Sequence, residues 1–414
     1  MNANRTGSST TPRGIGRFTT GLCVSIALGA CQAGSIAEAR QLLVSQPQAA
    51  HDAWQAFQRG APETALQRLQ QLCPSARLIR ADALQEQAVL VCLTRVRLLA
   101  ETRQWNTARD LAIQMLEADP GAVAVHQHLS WIYLNLHAYT LSIWHGQQAL
   151  KQKADDTASL LNVGRSLEAL GRLTLAEASF ERAVAAQSSN HQAWFYLARL
   201  QIRTGAYAQA LESIQKARAL QPRNPEYICL AGETGVVLQL YRPGRASLQQ
   251  CLELQPKRWS ALYMQGIAAI ANRQWSLAEA SIQTLQDNQQ ELPARQLQAW
   301  LLLRQQRYLE LRNTVVRWQT DQVPLSNELQ YLLALAQSHN GEYDQALVIL
   351  QSLEPGADHL PEYWWNRGQV AWQLQRLPEA RSAWQLGCTG GDPASCRALQ
   401  EFHRPERKPG HANE

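Results

Sequence analysis

Charge of either sign is scarce in this sequence, and nowhere does it gather. Asp, Glu, Lys and Arg together make up 18% of the 414 residues, too little for a charge-rich coiled coil. The 45% hydrophobic share is too high for a disordered chain. Lys and Arg number 39 against 34 Asp and Glu. Arg5, Arg13 and Arg17 fall in the first 30 residues, which hold no acid, so beyond them the balance is 36 against 34. No basic run of five or six residues exists to track a phosphate backbone, which excludes nucleic acid as the expected partner. Long apolar runs are missing too. The 13-residue stretch from Phe18 to Ala30 is well short of the roughly 20 residues a membrane-spanning helix needs. No GxSxG, HExxH, P-loop or post-strand GxGxxG motif occurs, and no CxxC accompanies a His pair. The ten His form no ligand set, since His126 and His128 lie two apart on a helix and face different ways, and His137 and His145 read as polar helix surface. The expectation is a protein with no catalytic residues, no cofactor and no metal.

What is present begins with the N-terminus. A basic, Ser/Thr-rich stretch, a short apolar core and small residues at its end have the layout of a secretory signal. Leu28-Gly29-Ala30-Cys31 resembles the bacterial lipobox. That resemblance implies cleavage before Cys31, diacylglycerol on its sulfur, and a two-signal anchor strong enough for stable membrane attachment. Gln32 in place of Asp favours the outer membrane of a Gram-negative envelope. The alternatives are an ordinary signal cut after Ala39, giving a secreted protein, or a cytoplasmic protein whose N-terminus only imitates a signal.

Beyond residue 80 the chain repeats every 34 residues. Trp105, Tyr139, Leu173, Tyr207, Tyr241, Trp275, Tyr308, Tyr343 and Leu377 fall in register, with steps of 33 to 35 residues. Nine positions earlier stand Val96, Ser130, Gly164, Ala198, Gly232, Gly266, Ala299, Ala334 and Gly368; three positions later stand Ala108, Ser142, Ala176, Ala210, Gly244, Ala278, Leu311, Ala346 and Ala380. Small residues in two columns let antiparallel helices approach closely, and the large residue plugs the hairpin end. Pro120, Pro222 and Pro256 share a late position where a helix must stop. The period and columns resemble the tetratricopeptide repeat. The resemblance implies an all-α solenoid of about ten helical hairpins, a right-handed superhelix whose neighbours bury one another's apolar faces. Gly60, Ala65 and Leu69 mark a degenerate first repeat. The expected layout is a signal peptide over 1–30, a tether over 31–45, the degenerate repeat over 46–88, the array over 89–390, a capping helix over 391–402 and a flexible tail over 403–414. Leu311 interrupts its small-residue column, so irregularity is expected around 311–327.

After Cys23 leaves with the signal and Cys31 is lipidated, six Cys remain, an even number that suits an oxidising compartment. Six Cys allow 15 pairings. Pairing of sequence neighbours, Cys73 with Cys92 and Cys229 with Cys251, is the simplest, and the alternative is that these four are small core residues. Cys388 and Cys396 flank a Gly-Gly turn, with Asp392 placed to cap a helix and Pro393 at its first position. This segment resembles the cysteine-linked turn of Sel1-like repeats, which implies a Cys388–Cys396 bond.

In tetratricopeptide arrays the first helix of each hairpin lines a concave groove. The corresponding positions here are Trp131, Arg165, Phe195, Arg199, Tyr263, Trp300, Tyr331, Trp365 and Trp372, with Arg203 and Arg304 one step further round. Aromatic residues flanked by Arg suit recognition of a protein or peptide segment, although each ring could instead pack between repeats. Trp364 is expected in the core, with Trp365 and Trp372 in the groove. The Lys/Asn columns of a carboxylate clamp are missing: Asn162 fits, but Tyr196, Leu230 and Met264 fill the later places. The functional expectation is a non-enzymatic interaction scaffold on the periplasmic side of the bacterial envelope, assisting a pilus, secretion or polysaccharide-export machine. A docking subunit for an envelope enzyme, such as a peptidoglycan hydrolase or polysaccharide synthase, and a cytoplasmic adaptor are the alternatives.

Overall fold

The computed structural model describes residues 46–73, 85–321, 324–353, 360 and 362–402. The signal, the tether with Cys31, and the 403–414 tail lie outside the described residues. Among the described residues every regular element is a helix, and there are 21 of them. They fall into two compact units, residues 1–220 and 221–414.

The first unit holds five hairpins: α1 (Gln46–Gln58) with α2 (Pro62–Leu72), α3 (Gln85–Glu101) with α4 (Trp105–Ala118), α5 (Val123–Asn135) with α6 (Tyr139–Gln152), α7 (Thr157–Ala169) with α8 (Leu173–Ala186), and α9 (His191–Arg203) with α10 (Tyr207–Leu220). The second holds five more: α11 (Pro225–Val237) with α12 (Tyr241–Leu254), α13 (Trp259–Ala271) with α14 (Trp275–Asp287), α15 (Glu291–Arg304) with α16 (Tyr308–Thr320), α17 (Asn327–His339) with α18 (Tyr343–Ser352), and α19 (Tyr363–Gln373) with α20 (Leu377–Thr389); α21 (Pro393–Phe402) closes the C-terminal end.

In nine of the ten hairpins the large column residue opens the second helix, and two positions before it the backbone turns left-handed. Arg103, His137, Gly171, Gly205, Gln239, Arg273, Gln306, Gly341 and Gln375 all have φ between 55° and 82°. Each sits at the C-terminal cap of a first helix, where paired bonds such as Gln104 N to Leu99 O at 2.8 Å and Arg103 N to Ala100 O at 3.0 Å satisfy the last free carbonyls. Six of the nine carry a side chain, although this conformation costs an L-residue roughly 1–2 kcal/mol.

Close approach within the hairpins follows the small-residue columns. A Cβ on Gly368 would overlap the Trp384 indole, and one on Gly164 would meet Phe180. Where the columns carry serine, buried hydroxyls bond across the gap: Ser130 Oγ donates to Ser142 O at 2.9 Å and Ser142 Oγ returns to Ser130 O at 2.8 Å. Leu311, the large intruder, is wholly buried, and α16 runs through its position without a break. First helices lie beside first helices within each unit, so their outer sides form one continuous face.

Candidate functional site

The three disulfides join Cys73 to Cys92, Cys229 to Cys251 and Cys388 to Cys396, with Cα separations of 5.5, 4.9 and 4.6 Å. These fit ordinary disulfide geometry. The first ties the end of α2 to α3, the second ties α11 to α12, and the third ties α20 to α21. Asp392 caps α21, accepting from the backbone N of Ala394 at 3.0 Å and of Ser395 at 3.2 Å.

In the first unit the groove residues converge on a ring that sequence reading assigned elsewhere. Tyr196, on α9, has two guanidinium groups over its ring, Arg165 at 5.0 Å and Arg199 at 5.1 Å from the centroid. Phe195 leans on it at 5.6 Å, and beneath it Phe180 stacks at 5.9 Å. Arg199 Nη2 bonds Glu168 Oε2 at 2.7 Å, and Arg203 Nη1 donates to the Glu168 carbonyl at 3.1 Å. Two guanidinium groups, those of Arg199 and Arg203, thus share the Glu168 carboxylate. Glu168 is buried and both partner arginines are exposed, so the patch is held from below and offers positive charge and π-face outward. Trp131 is half-buried, packed edge-on against Trp105 at 5.5 Å.

In the second unit, Tyr263 of α13, Trp300 of α15 and Glu328 of α17 meet on the first-helix face. Trp300 Nε1 donates to Glu328 Oε1 at 2.5 Å, Tyr263 OH to the same oxygen at 3.4 Å, and Gln296 Nε2 to Oε2 at 2.6 Å. Burial, reinforced by the Glu328 charge, raises the Tyr263 phenol above its ordinary range, so it stays a protonated donor. Arg304 is exposed one turn beyond Trp300. Glu168, Gln296 and Glu328 were absent from the sequence-derived groove set, because their bonded partners are 28 to 65 positions away; Tyr196 was absent because its place was matched to a clamp column instead.

Several expectations need correction. Tyr331 is 1% exposed, so it does not line an open groove; its hydroxyl accepts from Asn366 Nδ2 at 2.7 Å and its ring sits 6.2 Å from that of Tyr363. Trp364 is half-buried rather than core, edge-on to Tyr363 at 5.0 Å, and the fully enclosed indole of this hairpin is Trp384. Trp372 packs at 5.9 Å from Trp384 and 5.6 Å from Phe402 of α21, so it seals the cap. Trp365 is half-buried on α19, and its carbonyl accepts from Trp384 Nε1 at 3.3 Å. His126 and His145 are not surface residues: both are buried, with their Nδ1 atoms 2.9 Å apart, His126 Nε2 on the Pro120 carbonyl at 3.1 Å, and Tyr133 stacked on His145. Burial, with the His126 neighbour, pushes His145 down to about 4. Among the described residues no three His, Cys, Asp or Glu side chains gather as a metal site, and no helix is long and apolar enough to cross a membrane.

Comparison with known proteins comes out on the side of the repeat. The tetratricopeptide repeat family model matches residues 161–225 and 351–394. A crystal structure of a tetratricopeptide repeat protein from Parabacteroides merdae superposes with a TM-score of 0.51 at 15% identity, covering 58% of this chain and 95% of that one. The structure of pilF from Pseudomonas aeruginosa gives 0.46 at 16% identity over 50% and 95% of the two chains. YrrB, a tetratricopeptide protein with an unusual peptide-binding site, gives 0.36 at 19% identity over 42% and 89%. No curated protein matches the sequence significantly. The chain carries tetratricopeptide repeats, and its fold is their helical-hairpin solenoid.

Proposed function

We propose that this chain is a non-enzymatic docking scaffold, exported and lipid-anchored through Cys31, that holds a protein segment against its first-helix faces on the periplasmic side of the bacterial envelope. The observation that carries the docking part is the Arg165–Tyr196–Arg199 stack. An aromatic ring with two guanidinium groups over it offers large contact area, at low rotamer cost, to an extended chain. The compartment is supported by the cysteines. All six among the described residues are paired, which is the expected state of an exported protein and not of a cytosolic one. The client is a component of an envelope assembly, of the pilus, secretion or polysaccharide-export kind.

The test has two arms. In cells, Cys31→Ser should accumulate as uncleaved precursor while the wild type partitions into detergent; normal processing of the variant rejects the lipid anchor. From envelope extracts, the wild type should retain a machine component that Arg165→Ala with Phe195→Ala loses. Retention of a peptidoglycan hydrolase or polysaccharide synthase instead would make the chain a docking subunit of an enzyme. Recovery in the cytosolic fraction would make it a cytoplasmic adaptor.

A further inference from the structure

We infer that the Glu328 carboxylate, flanked by the Trp300 indole and the Tyr263 phenol, is a receptor for one cationic side chain, lysine or arginine, of a docked protein segment. This rests on reading the first-helix face as a docking surface and adds the chemistry that one part of it selects.

The argument is one of charge left over. A carboxylate has about four acceptor positions, and at Glu328 three are met: by Trp300 and Tyr263 on Oε1, and by Gln296 on Oε2. All three donors are neutral, so the carboxylate is aimed and held but its full negative charge is unanswered. Other shielded carboxylates of the same unit are answered by arginine: Glu233 by Arg258 at 3.1 Å and Glu342 by Arg312 at 3.2 Å. Among the described residues no ion pair reaches Glu328, and the nearest basic residue on α15 at its N-terminal side, Arg295, is engaged by Glu291 at 3.4 Å. The N-terminus of α17 offsets part of the charge, but a helix end carries only about half an elementary charge.

The surroundings favour a cation of a particular kind. Three donors from the two preceding first helices, α13 and α15, fix both oxygens, so the carboxylate is pre-organised and little rotamer freedom is lost on binding. Tyr263 and Trp300 are half-buried, so each keeps ring surface in reach of solvent beside the acid. Aromatic surface next to a carboxylate accepts the methylene stem and the charged head of Lys or Arg together. An acidic segment is repelled here, whereas the Arg165 and Arg199 stack of the other unit favours one.

The experiment uses the full-length chain labelled with 5-fluorotryptophan, the Trp300 resonance being assigned by its loss in Trp300→Phe. The probes are blocked Gly-X-Gly amides with X as lysine, arginine, norleucine or glutamate. Lysine and arginine should move the Trp300 signal saturably, more weakly at high salt, while norleucine and glutamate leave it in place. Glu328→Gln should weaken the lysine probe by about ten-fold. Equal shifts with norleucine and lysine, no shift with lysine and arginine, or undiminished lysine binding by a folded Glu328→Gln each overturns the site. The norleucine comparison is made on the wild type, so it stands even if the variant folds poorly. Capture of an envelope partner that survives Glu328→Gln, beside a silent lysine probe, removes this site and leaves the docking reading intact. Loss of capture in Arg165→Ala with Phe195→Ala tests that reading separately.

Discussion

At the scale of single residues, the left-handed caps show a site where the fold is paid for locally. Gln239, Arg273 and Gln306 hold φ near 55–60° in turns that Gly171, Gly205 and Gly341 make without strain. Replacing any of the three by glycine should raise stability by about 0.5–1 kcal/mol, the steric relief outweighing the entropy added to the unfolded chain. Denaturant midpoints with unchanged slopes are the measure; a fall would show that those side chains have bonds worth more than the strain. The left-handed conformation of these three turns was invisible in the sequence because Arg and Gln carry no left-handed signature. The adjoining columns were legible because size and spacing alone define them.

The buried His126–His145 pair is a second residue-scale feature, and its sign is definite. His145 is held at about 4, below the ordinary 6.5 of the unfolded chain. Its contribution is therefore complete above pH 6.5 and is lost as pH falls from 6.5 through about 4, up to about 3 kcal/mol in all. Urea unfolding at pH 7, 6, 5 and 4.5 should show stability falling, and His145→Asn should remove about one proton from that slope. An unchanged slope in the variant would contradict the burial. Sequence reading left this pair on the surface because 19 positions separate the two rings, and only the packing of α5 on α6 brings them together.

At the scale of elements, the C-terminal hairpin shows where sequence register succeeds and where it fails. Asp392 and Pro393 were readable, since a cap and a first-turn proline are local signals, and the Cys388–Cys396 link was what the resemblance to a cysteine-linked turn implied. Which tryptophan becomes core was not: it is decided by Gly368, whose missing side chain admits Trp384, and by Phe402 closing over Trp372. Trp384→Ala should cost about 3–5 kcal/mol through the cavity it leaves. Trp372→Ala should loosen α21, and Trp365→Ala should cost least of the three. Hydrogen exchange of the α21 amides separates them, and faster exchange in Trp365→Ala than in Trp372→Ala would reverse this assignment. Tyr331 fails for the same reason: its column placed it in the groove, but α19 supplies Asn366 and Tyr363 on that side and covers it.

The Cys388–Cys396 bond spans only eight positions, so loop closure gives about 2–3 kcal/mol. Cys388→Ala with Cys396→Ala should release α21 first and leave the other hairpins protected, because terminal hairpins contact a neighbour on one side alone. Simultaneous loss of protection across the second unit would show that the cap holds more than its own end.

At the scale of the whole molecule, the repeated helical hairpin was legible and chemistry was not. A solenoid is built from contacts within a repeat and between near neighbours, so its pattern survives in the one-dimensional sequence. The carboxylate of Glu328 draws donors from the two repeats before its own, and no column announces it. Each disulfide, by contrast, joins a cysteine to the next one along the chain, across 19, 22 and 8 positions. For a polypeptide threaded N-terminus first into an oxidising space, that order has a kinetic meaning. Whenever a cysteine emerges as an odd member of the series, its correct partner is the next thiol to arrive, and the wrong ones are still on the far side of the membrane. Emergence alone sorts the pairs, and the single correct pattern is reached without reshuffling. If the proposed export holds, cells lacking a disulfide oxidase should lose this protein, and cells lacking only a disulfide isomerase should make it at normal yield, with its three bonds intact.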